Sequence, residues 1–398
     1  MLNVADQPKF EEAVTREQIR HLAPYNLSSL GPSDEIRIAI NQQDVYTLPH
    51  KSSIYLEATL SREENALSTA KLCNNAPAFF FEEVRFEIGG SESERVRNVG
   101  VASTLRTYLC CNESDAKHLQ MSGWGHAPIM DSHGNFTAII PFTSIFGFAM
   151  DYNRVLLNQK QELVLIRGRH DADLIQDADE AKDKIKITLN KIYWRVPFIE
   201  VNTQERLRLL KVVQQNTGLY VPFRSWNLYE YPELPQTTKH SWTVKTSNHL
   251  ETPRYVIVAF QTDRKNNWKK SASEFDQCSL RSLKLYLNSE AYPYENLNVD
   301  YSKNAYTIVY DMYANFSTSF YDETDRRCLL SYEDFKSKAP VVVIDCSKQN
   351  ERMKSSPVDM RLELETHSKI PAKTTMLCMV IHDTLLQYFP LSNILKRL

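Results

Sequence analysis

Histidine, aspartate, serine and cysteine are the side chains of this sequence that could act as bases or nucleophiles, and few of them are neighbours. His382 and Asp383 adjoin within the apolar run 375–388, and a carboxylate beside an imidazole can orient a general base. A strand-end histidine beside a turn aspartate produces the same pair without catalysis, and we favour that interpretation. The pair therefore predicts no active site.

Two further short motifs could hold a nucleophile. Asp131 and His133 flank a serine in the loop 123–134, which is rich in glycine and proline. Such a composition is typical of a turn, so we interpret the motif as structural. Cys110 and Cys111 follow a predicted helix, and we interpret them as buried thiols because free cysteine is among the most buried residue types.

The sequence motifs that could bind a metal ion or a nucleic acid are as weak as those for catalysis. The ten histidines include no H-x-H pair and no H-E-x-x-H motif, so the ligand spacing of zinc enzymes and of catalytic cupins is missing. Segment 171–183 carries six acidic residues that could bind calcium, but its spacing matches no calcium loop and favours an exposed inter-strand loop. Segment 264–270 places four cations around Trp268, as a single-strand contact does, and we interpret it as a solvated loop. We predict no catalytic residue, no metal ligand and no cofactor.

The composition narrows the class of protein. Only 10 of 398 residues are glycine, which disfavours the phosphate loops of nucleotide enzymes. A net charge of −2 disfavours a nucleic-acid binder, so any genome contact is expected to be weak or absent. No apolar stretch is long enough to span a membrane, and the first residues lack the plan of a signal peptide. Seven scattered cysteines without a CxxC pair predict reduced thiols inside a cell, which leaves the four N-x-S/T sequons unused.

The elements that must position these residues are mostly strands. After a predicted helix over 10–22, alternating or apolar runs predict strands over 35–40, 53–60, 79–88, 136–142, 162–167 and 184–195. A helix is predicted over 95–109 from its apolar spacing. One convincing helix among so many strands favours an antiparallel sandwich in the first half.

The second half repeats this order. A linker helix is predicted over 201–215 and a second helix over 305–316, with strands over 219–226, 241–246, 254–262, 282–287, 341–345, 360–365 and 375–388. The alternating strand at Val84 recurs at Leu283, an offset of 283 − 84 = 199, and the strand at Leu163 recurs at Leu362, again 362 − 163 = 199. An Asn-Val turn followed by a helix comes after the strand in each half. We therefore predict an all-β chain of two copies of one sandwich.

Two segments have a composition that could form contacts between subunits. Residues 220–231 contain five aromatic side chains, which form a core strand in one interpretation and an interface in the other. The tail 394–398 is apolar and basic. It either frays or docks on a neighbouring subunit.

Whole phrases from residue 218 onward resemble a known family. The segments FRSW (223–226), WTVKTS (242–247), PRYVIVAFQT (253–262), LYLNSE (285–290), YDMY (310–313) and VIDCS (343–347) are similar to the double jelly-roll major capsid proteins of Polinton/Maverick and adintovirus-like elements. The resemblance covers most of 218–390, whereas the first half matches mainly in element order. It implies two tandem eight-stranded jelly-roll β-sandwiches with a few short helices.

The resemblance also implies the organisation and the role of the chain. It divides the sequence into an N-terminal arm (1–34), a first jelly roll (35–200), a linker helix (201–218), a second jelly roll (219–390) and a C-terminal tail (391–398). It implies a non-enzymatic homotrimer, a pseudo-hexagonal capsomer that joins neighbouring capsomers, penton and minor capsid proteins in an icosahedral virion shell assembled inside the host cell. Insertions at 110–135, 176–184 and 263–278 would face outward, and the chain ends would face inward or lock neighbours. No small-molecule substrate is implied.

Two other classes stay open on the residues alone. A tandem β-sandwich binding protein, lectin-like or domesticated by a host, would place aromatic side chains on concave sheets. An enzyme of the cupin or glycosidase kind is the weaker alternative because the histidine pair is missing.

Overall fold

The computed structural model describes residues 13–25, 30–42, 45–62, 71–176, 185–244, 253–323, 326–348 and 358–398. Within them the first half contains strands β1 (Val14–Leu22), β2 (Glu35–Ile40), β3 (Tyr46–Thr47), β4 (Ser53–Arg62), β5 (Lys71–Leu72), β6 (Phe81–Ile88), β7 (Ser91–Arg97), β8 (Asn135–Pro141), β9 (Leu156–Leu157), β10 (Gln161–Arg167), β11 (Ile175–Gln176) and β12 (Ile185–Val201). Its helices are α1 (Val99–Cys110), α2 (Glu113–His118), α3 (Phe142–Ile145) and α4 (Gly147–Asp151).

Helix α5 (Thr203–Gln214) joins the halves where the sequence predicts a linker helix. The second half contains β13 (Leu219–Tyr231), β14 (Lys239–Val244), β15 (Pro253–Thr262), β16 (Leu280–Leu287), β17 (Glu290–Tyr292), β18 (Val342–Asp345), β19 (Met360–Thr366), β20 (Thr374–Phe389) and β21 (Ile394–Arg397). Helices α6 (Thr307–Tyr321) and α7 (Tyr332–Lys338) lie between β17 and β18.

Both halves have the same antiparallel topology. One sheet of the second half has the order β13-β20-β15-β18, and the other has β14-β19-β16-β17. In the first half β8-β4-β12 with β1 beside β12 reproduces the first order, and β2-β10-β6-β7 reproduces the second. Each half is thus an eight-stranded, two-sheet jelly roll, as the resemblance implies, with the short strands β3, β5, β9, β11 and β21 added.

The duplication is visible in the strand positions. Strands β6 and β16 begin 280 − 81 = 199 residues apart, β10 and β19 begin 360 − 161 = 199 apart, and β2 and β14 begin 239 − 35 = 204 apart. The Asn-Val turns are less alike than the sequence suggests. Helix α1 begins at Val99 itself, whereas α6 begins at Thr307, well after Val299.

The core of each sandwich is apolar and aromatic. In the first sandwich the ring of Phe86 packs edge-on against Phe142 and Trp194, with ring centroids 6.0 Å apart in both pairs. Aromatic pairs with offset or edge-on geometry stabilise a core beyond the area that they bury. Among the described residues, no helix is long and apolar enough to cross a membrane.

Two predicted helices are corrected by the structure. The helix predicted over 10–22 is wrong where it can be seen, because Val14–Leu22 is strand β1, paired along its length with β12; residues 10–12 lie outside the described residues. Long-range pairing overrides the near-helical spacing of its apolar side chains. The helix predicted over 95–109 begins later, at Val99, since residues up to Arg97 form β7 against β6.

Candidate assembly surfaces

An ion pair joins the two sandwiches. Asp151, at the end of α4, accepts hydrogen bonds from the backbone N and the Nε of Arg224 on β13, at 2.7 and 2.9 Å. The Arg224 guanidinium also donates to the Phe320 carbonyl and lies 3.6 Å from the centre of the Phe320 ring. A forked, stacked arginine fixes the orientation of its neighbours as well as their distance. We call this contact, together with the neighbouring residues Gly147 and Glu94, the internal junction.

Close backbone approach is the second feature of the internal junction. A Cβ on Gly147 would lie 1.9 Å from the Arg224 carbonyl oxygen, so no other residue fits there without movement. The buried Glu94 carboxylate accepts from the backbone N of Gly147 at 2.9 Å and of Phe148 at 2.8 Å. Burial raises the pKa of Glu94 to about 7, although the Arg106 guanidinium nearby acts in the opposite direction. The carboxylate therefore caps α4 in a site that disfavours its charge.

The C-terminal segment 388–393 also joins the two sandwiches. The Tyr388 hydroxyl accepts from the backbone N of Leu157 at 3.4 Å, and Asn158 Nδ2 donates to the Pro390 carbonyl at 3.1 Å. A Cβ on Gly89 would lie 2.7 Å from the Asn393 carbonyl oxygen. The end of β20 therefore belongs to the contact between halves as much as to its own sheet.

Strand β1 occupies the position in the first sandwich that β13 occupies in the second. The offset of 204 aligns Ile19 with Phe223 and Arg20 with Arg224 (19 + 204 = 223; 20 + 204 = 224). Phe223 is buried against Phe148, at 5.9 Å between ring centroids, whereas Ile19 is 50% exposed. No residue of β1 is buried within the chain. One copy of a repeated surface is thus covered and the other is open.

A second open surface surrounds the linker helix. Helix α5 has no buried residue, although it carries an apolar stripe, and Leu207 on it is 56% exposed. Exposed Tyr220 and Leu391 lie beyond its C-terminal end, where Asn216 Oδ1 accepts from the backbone N of Leu391 at 3.1 Å. We call helix α5 together with Tyr220 and Leu391 the linker-end surface. Exposed apolar side chains grouped in this way are typical of contact surfaces.

The histidine–aspartate pair of the sequence is separated by the strand pleat. His382 and Asp383 lie within β20, not at a strand end or in a turn as we favoured. Buried His382 Nε2 lies 2.8 Å from Ser225 Oγ, whereas exposed Asp383 forms an ion pair with Arg254 at 3.1 Å. Successive side chains of a strand point to opposite faces, so Asp383 does not orient His382.

The other short motifs have structural contacts. Asp131 Oδ1 accepts from the backbone N of His133 and of Asn135, both at 2.8 Å, which closes the predicted turn. Cys110 is buried and Cys111 is half-buried, and burial raises the pKa of the Cys110 thiol to about 12. All seven cysteines are free thiols.

The described parts of the acidic and basic segments contain ion pairs. Asp171 forms an ion pair with Arg167 at 3.0 Å, and residues 177–184 lie outside the described residues. Within the part of the chain that is described, no group of three or more acidic, histidine or cysteine side chains could hold a metal ion. Arg264 is mostly buried and pairs with Asp276 at 2.8 Å and Glu274 at 3.2 Å, so the solvated-loop interpretation of 264–270 is wrong for this side chain.

The aromatic segment and the tail also differ from the sequence predictions. Residues 220–231 fall within β13, where Phe223 and Trp226 are buried and Tyr220 is exposed. The segment is therefore both a core strand and an interface, with the other half of its own chain as the partner. The tail does not fray, because β21 pairs with β20.

Sequence reasoning missed Asp151, Glu94 and Gly147 of the internal junction. Each lies in a segment without a motif, and its partner is far away in sequence. Gly147 offered one signal, since a chain with only ten glycines keeps glycine where a side chain does not fit.

Comparisons with known proteins agree with this topology. Residues 70–386 match the model of the family described as "Double jelly roll-like domain". No curated protein is significantly similar in sequence to this chain.

Several solved structures share the fold over almost the whole chain. The cryo-electron microscopy structure of the Sputnik virophage matches with a TM-score of 0.66 at 9% identity, covering 100% of this chain and 91% of that chain. The quasi-atomic model of the PBCV-1 virus capsid gives 0.63 at 13% identity, covering 98% of each chain. The crystal structure of the mavirus major capsid protein gives 0.59 at 9% identity, covering 99% and 92%. At such identities the likeness concerns the fold.

Proposed function

The chain belongs to the double jelly roll-like domain family, and from that premise we propose that it is a major capsid protein. Its role is structural: a trimeric, pseudo-hexagonal capsomer that assembles into an icosahedral virion shell. The structures that share its fold include the mavirus major capsid protein and the PBCV-1 virus capsid. The phrases between 218 and 347 favour the Polinton/Maverick and adintovirus-like lineage within such proteins.

The observation that carries this proposal is the unequal burial of the repeated strand. Three chains with two similar sandwiches each provide six similar units, which can close a ring with threefold symmetry. Within one chain, β13 of the second unit packs on the first unit through the internal junction. In a closed ring, β1 of one chain meets the second unit of the next chain in the same way.

The second unit has counterparts of two elements of the first unit that lie beside the internal junction. Strand β17 and helix α6 correspond in order to β7 and α1 of the first unit. Tyr294, just after β17, and Ile308 on α6 are exposed. The uncovered β1 and these exposed side chains are therefore the two sides of the proposed contact between subunits.

The linker-end surface serves other partners in this proposal. Its exposed apolar side chains suit neighbouring capsomers or penton and minor capsid proteins. The insertions around 110–135 and 263–278 face outward, and the net charge of −2 leaves genome contact weak.

Light scattering coupled to size-exclusion chromatography tests the contact between subunits. We expect Ile19→Asp to lower the measured mass from three chains to one, because a buried unpaired carboxylate opposes association. The fold of the subunit should persist, since Ile19 is half exposed within the chain. The matched control is Ile129→Asp, at a side chain that is 93% exposed in a loop, and it should leave the mass unchanged. An unchanged mass for Ile19→Asp contradicts the proposed contact.

A further inference from the structure

We propose that one end of the chain binds the surface of an anionic lipid membrane. This end consists of the linker-end surface together with β21 and Leu398, and we call it the basic–apolar end. Protein partners of the linker-end surface would compete with the membrane for it. The inference does not rest on the capsid role, since it uses only the side chains of this end.

The basic–apolar end groups exposed apolar side chains. Among the described residues twelve large apolar side chains are exposed, and five of them belong to this end. The five are Leu207, Tyr220, Leu391, Ile394 and Leu398, which are 49% to 61% exposed. Single exposed apolar side chains are normal on a protein surface, whereas a group of them indicates an apolar partner.

Backbone contacts place these side chains at the same end. Tyr388, near the end of β20, pairs with Leu219 on one side and with Leu395 of β21 on the other. The backbone N of Leu391 donates to Asn216 Oδ1, just after α5, at 3.1 Å. Helix α5, the start of β13 and strand β21 are therefore neighbours, although they are far apart in the sequence.

The two segments that form this end, 201–223 and 384–398, carry positive charge. They contain five cationic side chains and one acidic side chain, which leaves a formal excess of 5 − 1 = 4 positive charges. The acidic side chain is Glu205, and it pairs with Arg208 at 3.2 Å. One cation is thus neutralised locally, and the other four have no acidic side chain within the two segments.

Three of these cations are exposed and unpaired. Within the described ranges, no carboxylate lies within ion-pair distance of Arg206, Lys211 or Lys396. Leu207 precedes Lys211 by one helical turn, so an apolar and a cationic side chain share the exposed face of α5. Long cationic side chains can cover apolar surface with their methylene stems while the charged group stays in a polar environment.

The combination of groups distinguishes a membrane from a nucleic acid. A nucleic acid would contact the cations and stack on the ring of Tyr220, but the aliphatic side chains of Leu207 and Leu391 would remain in water. The interface of an anionic bilayer accepts both kinds of group, because lysine and arginine contact charged headgroups while leucine enters the acyl boundary. The observations therefore favour a lipid surface.

Co-sedimentation of the full chain with unilamellar vesicles tests the inference. We expect binding to phosphatidylcholine vesicles that contain about 30% phosphatidylserine, and much weaker binding to phosphatidylcholine alone, because cations near an anionic surface favour adsorption. Lys211→Gln should weaken binding to the anionic vesicles about fivefold. The matched control is Lys117→Gln, at an exposed lysine on α2, and it should bind as the wild type does.

A second pair of variants tests the apolar contribution. Leu207→Ser should weaken binding to the anionic vesicles about fivefold because apolar contact area is lost. Ile129→Ser, at a more exposed side chain in a loop outside this end, should leave binding unchanged.

Three outcomes overturn the proposal. They are equal binding to both kinds of vesicle, binding to neither at low ionic strength, and a loss for Lys211→Gln without a loss for Leu207→Ser, which would indicate a soluble polyanion. Light scattering on the same samples without vesicles separates this test from that of the proposed function, because the mass of the particle does not depend on lipid.

Discussion

Glu94 illustrates how a single buried residue can make the stability of the fold depend on pH. Its carboxylate is buried, and burial raises its pKa from the ordinary 4.5 to about 7. A carboxyl group with a raised pKa stabilises the folded state fully below its unfolded pKa, and that contribution is lost as the pH rises through the folded pKa. The stability that this group contributes therefore decreases as the pH rises from about 4.5 to about 7.

Glu94→Gln should remove this dependence. The variant keeps one acceptor for the N-terminus of α4 but cannot ionise. We expect the free energy of unfolding of the variant minus that of the wild type to be larger at pH 8 than at pH 5, by on the order of 3 kcal/mol. Thermal unfolding at the two pH values measures the change. Glu87→Gln, on the neighbouring strand β6, is the control, and a Glu94→Gln difference that is equal at both pH values contradicts this explanation.

Residue types alone could identify which side chains were able to react, but not their partners. His382 and Asp383 are adjacent in sequence, yet the pleat of β20 sends one toward Ser225 and the other toward Arg254. Asp151 and Arg224 are 73 residues apart and form the ion pair between the halves. Local patterns predict pairs at short spacing, whereas the pairs that hold this chain together depend on topology.

At the scale of elements, prediction succeeded where pattern and pairing agree. Alternating strands such as Glu35–Ile40 and Phe81–Ile88 were found close to their predicted positions, since each buries one face. Strand β1 was mistaken for a helix because it buries neither face within the chain, so no alternation marks it. Its pairing with β12 is a long-range property that the local sequence does not encode.

The approach of α4 to β13 gives a test at this scale. Gly147→Ala places a methyl group 1.9 Å from the Arg224 carbonyl, which must move. We expect a loss of about 1–3 kcal/mol in the free energy of unfolding, as is usual for overpacking. Gly168→Ala is the matched control, because its nearest neighbour would be 3.5 Å away and its φ is not positive. Equal midpoints of thermal unfolding for the two variants contradict the role of Gly147.

At the scale of the whole molecule, the sequence revealed the duplication better than it revealed the junction. Offsets near 200 residues predicted two copies of one sandwich, and both halves have the same strand order. The contact between the copies could not be predicted, because it uses Glu94, Gly147 and Asp151, which belong to no repeated motif. The repeat itself then points to an open counterpart of that contact on β1.

The central claim is that three chains close into one capsomer. Negative-stain electron microscopy of the purified chain, with class averaging of single particles, tests it most directly. We predict hexagonal particles with threefold symmetry and a mass of three chains, about 138 kDa from 46.1 kDa each. Class averages that contain only single two-lobed subunits at high protein concentration would contradict the claim.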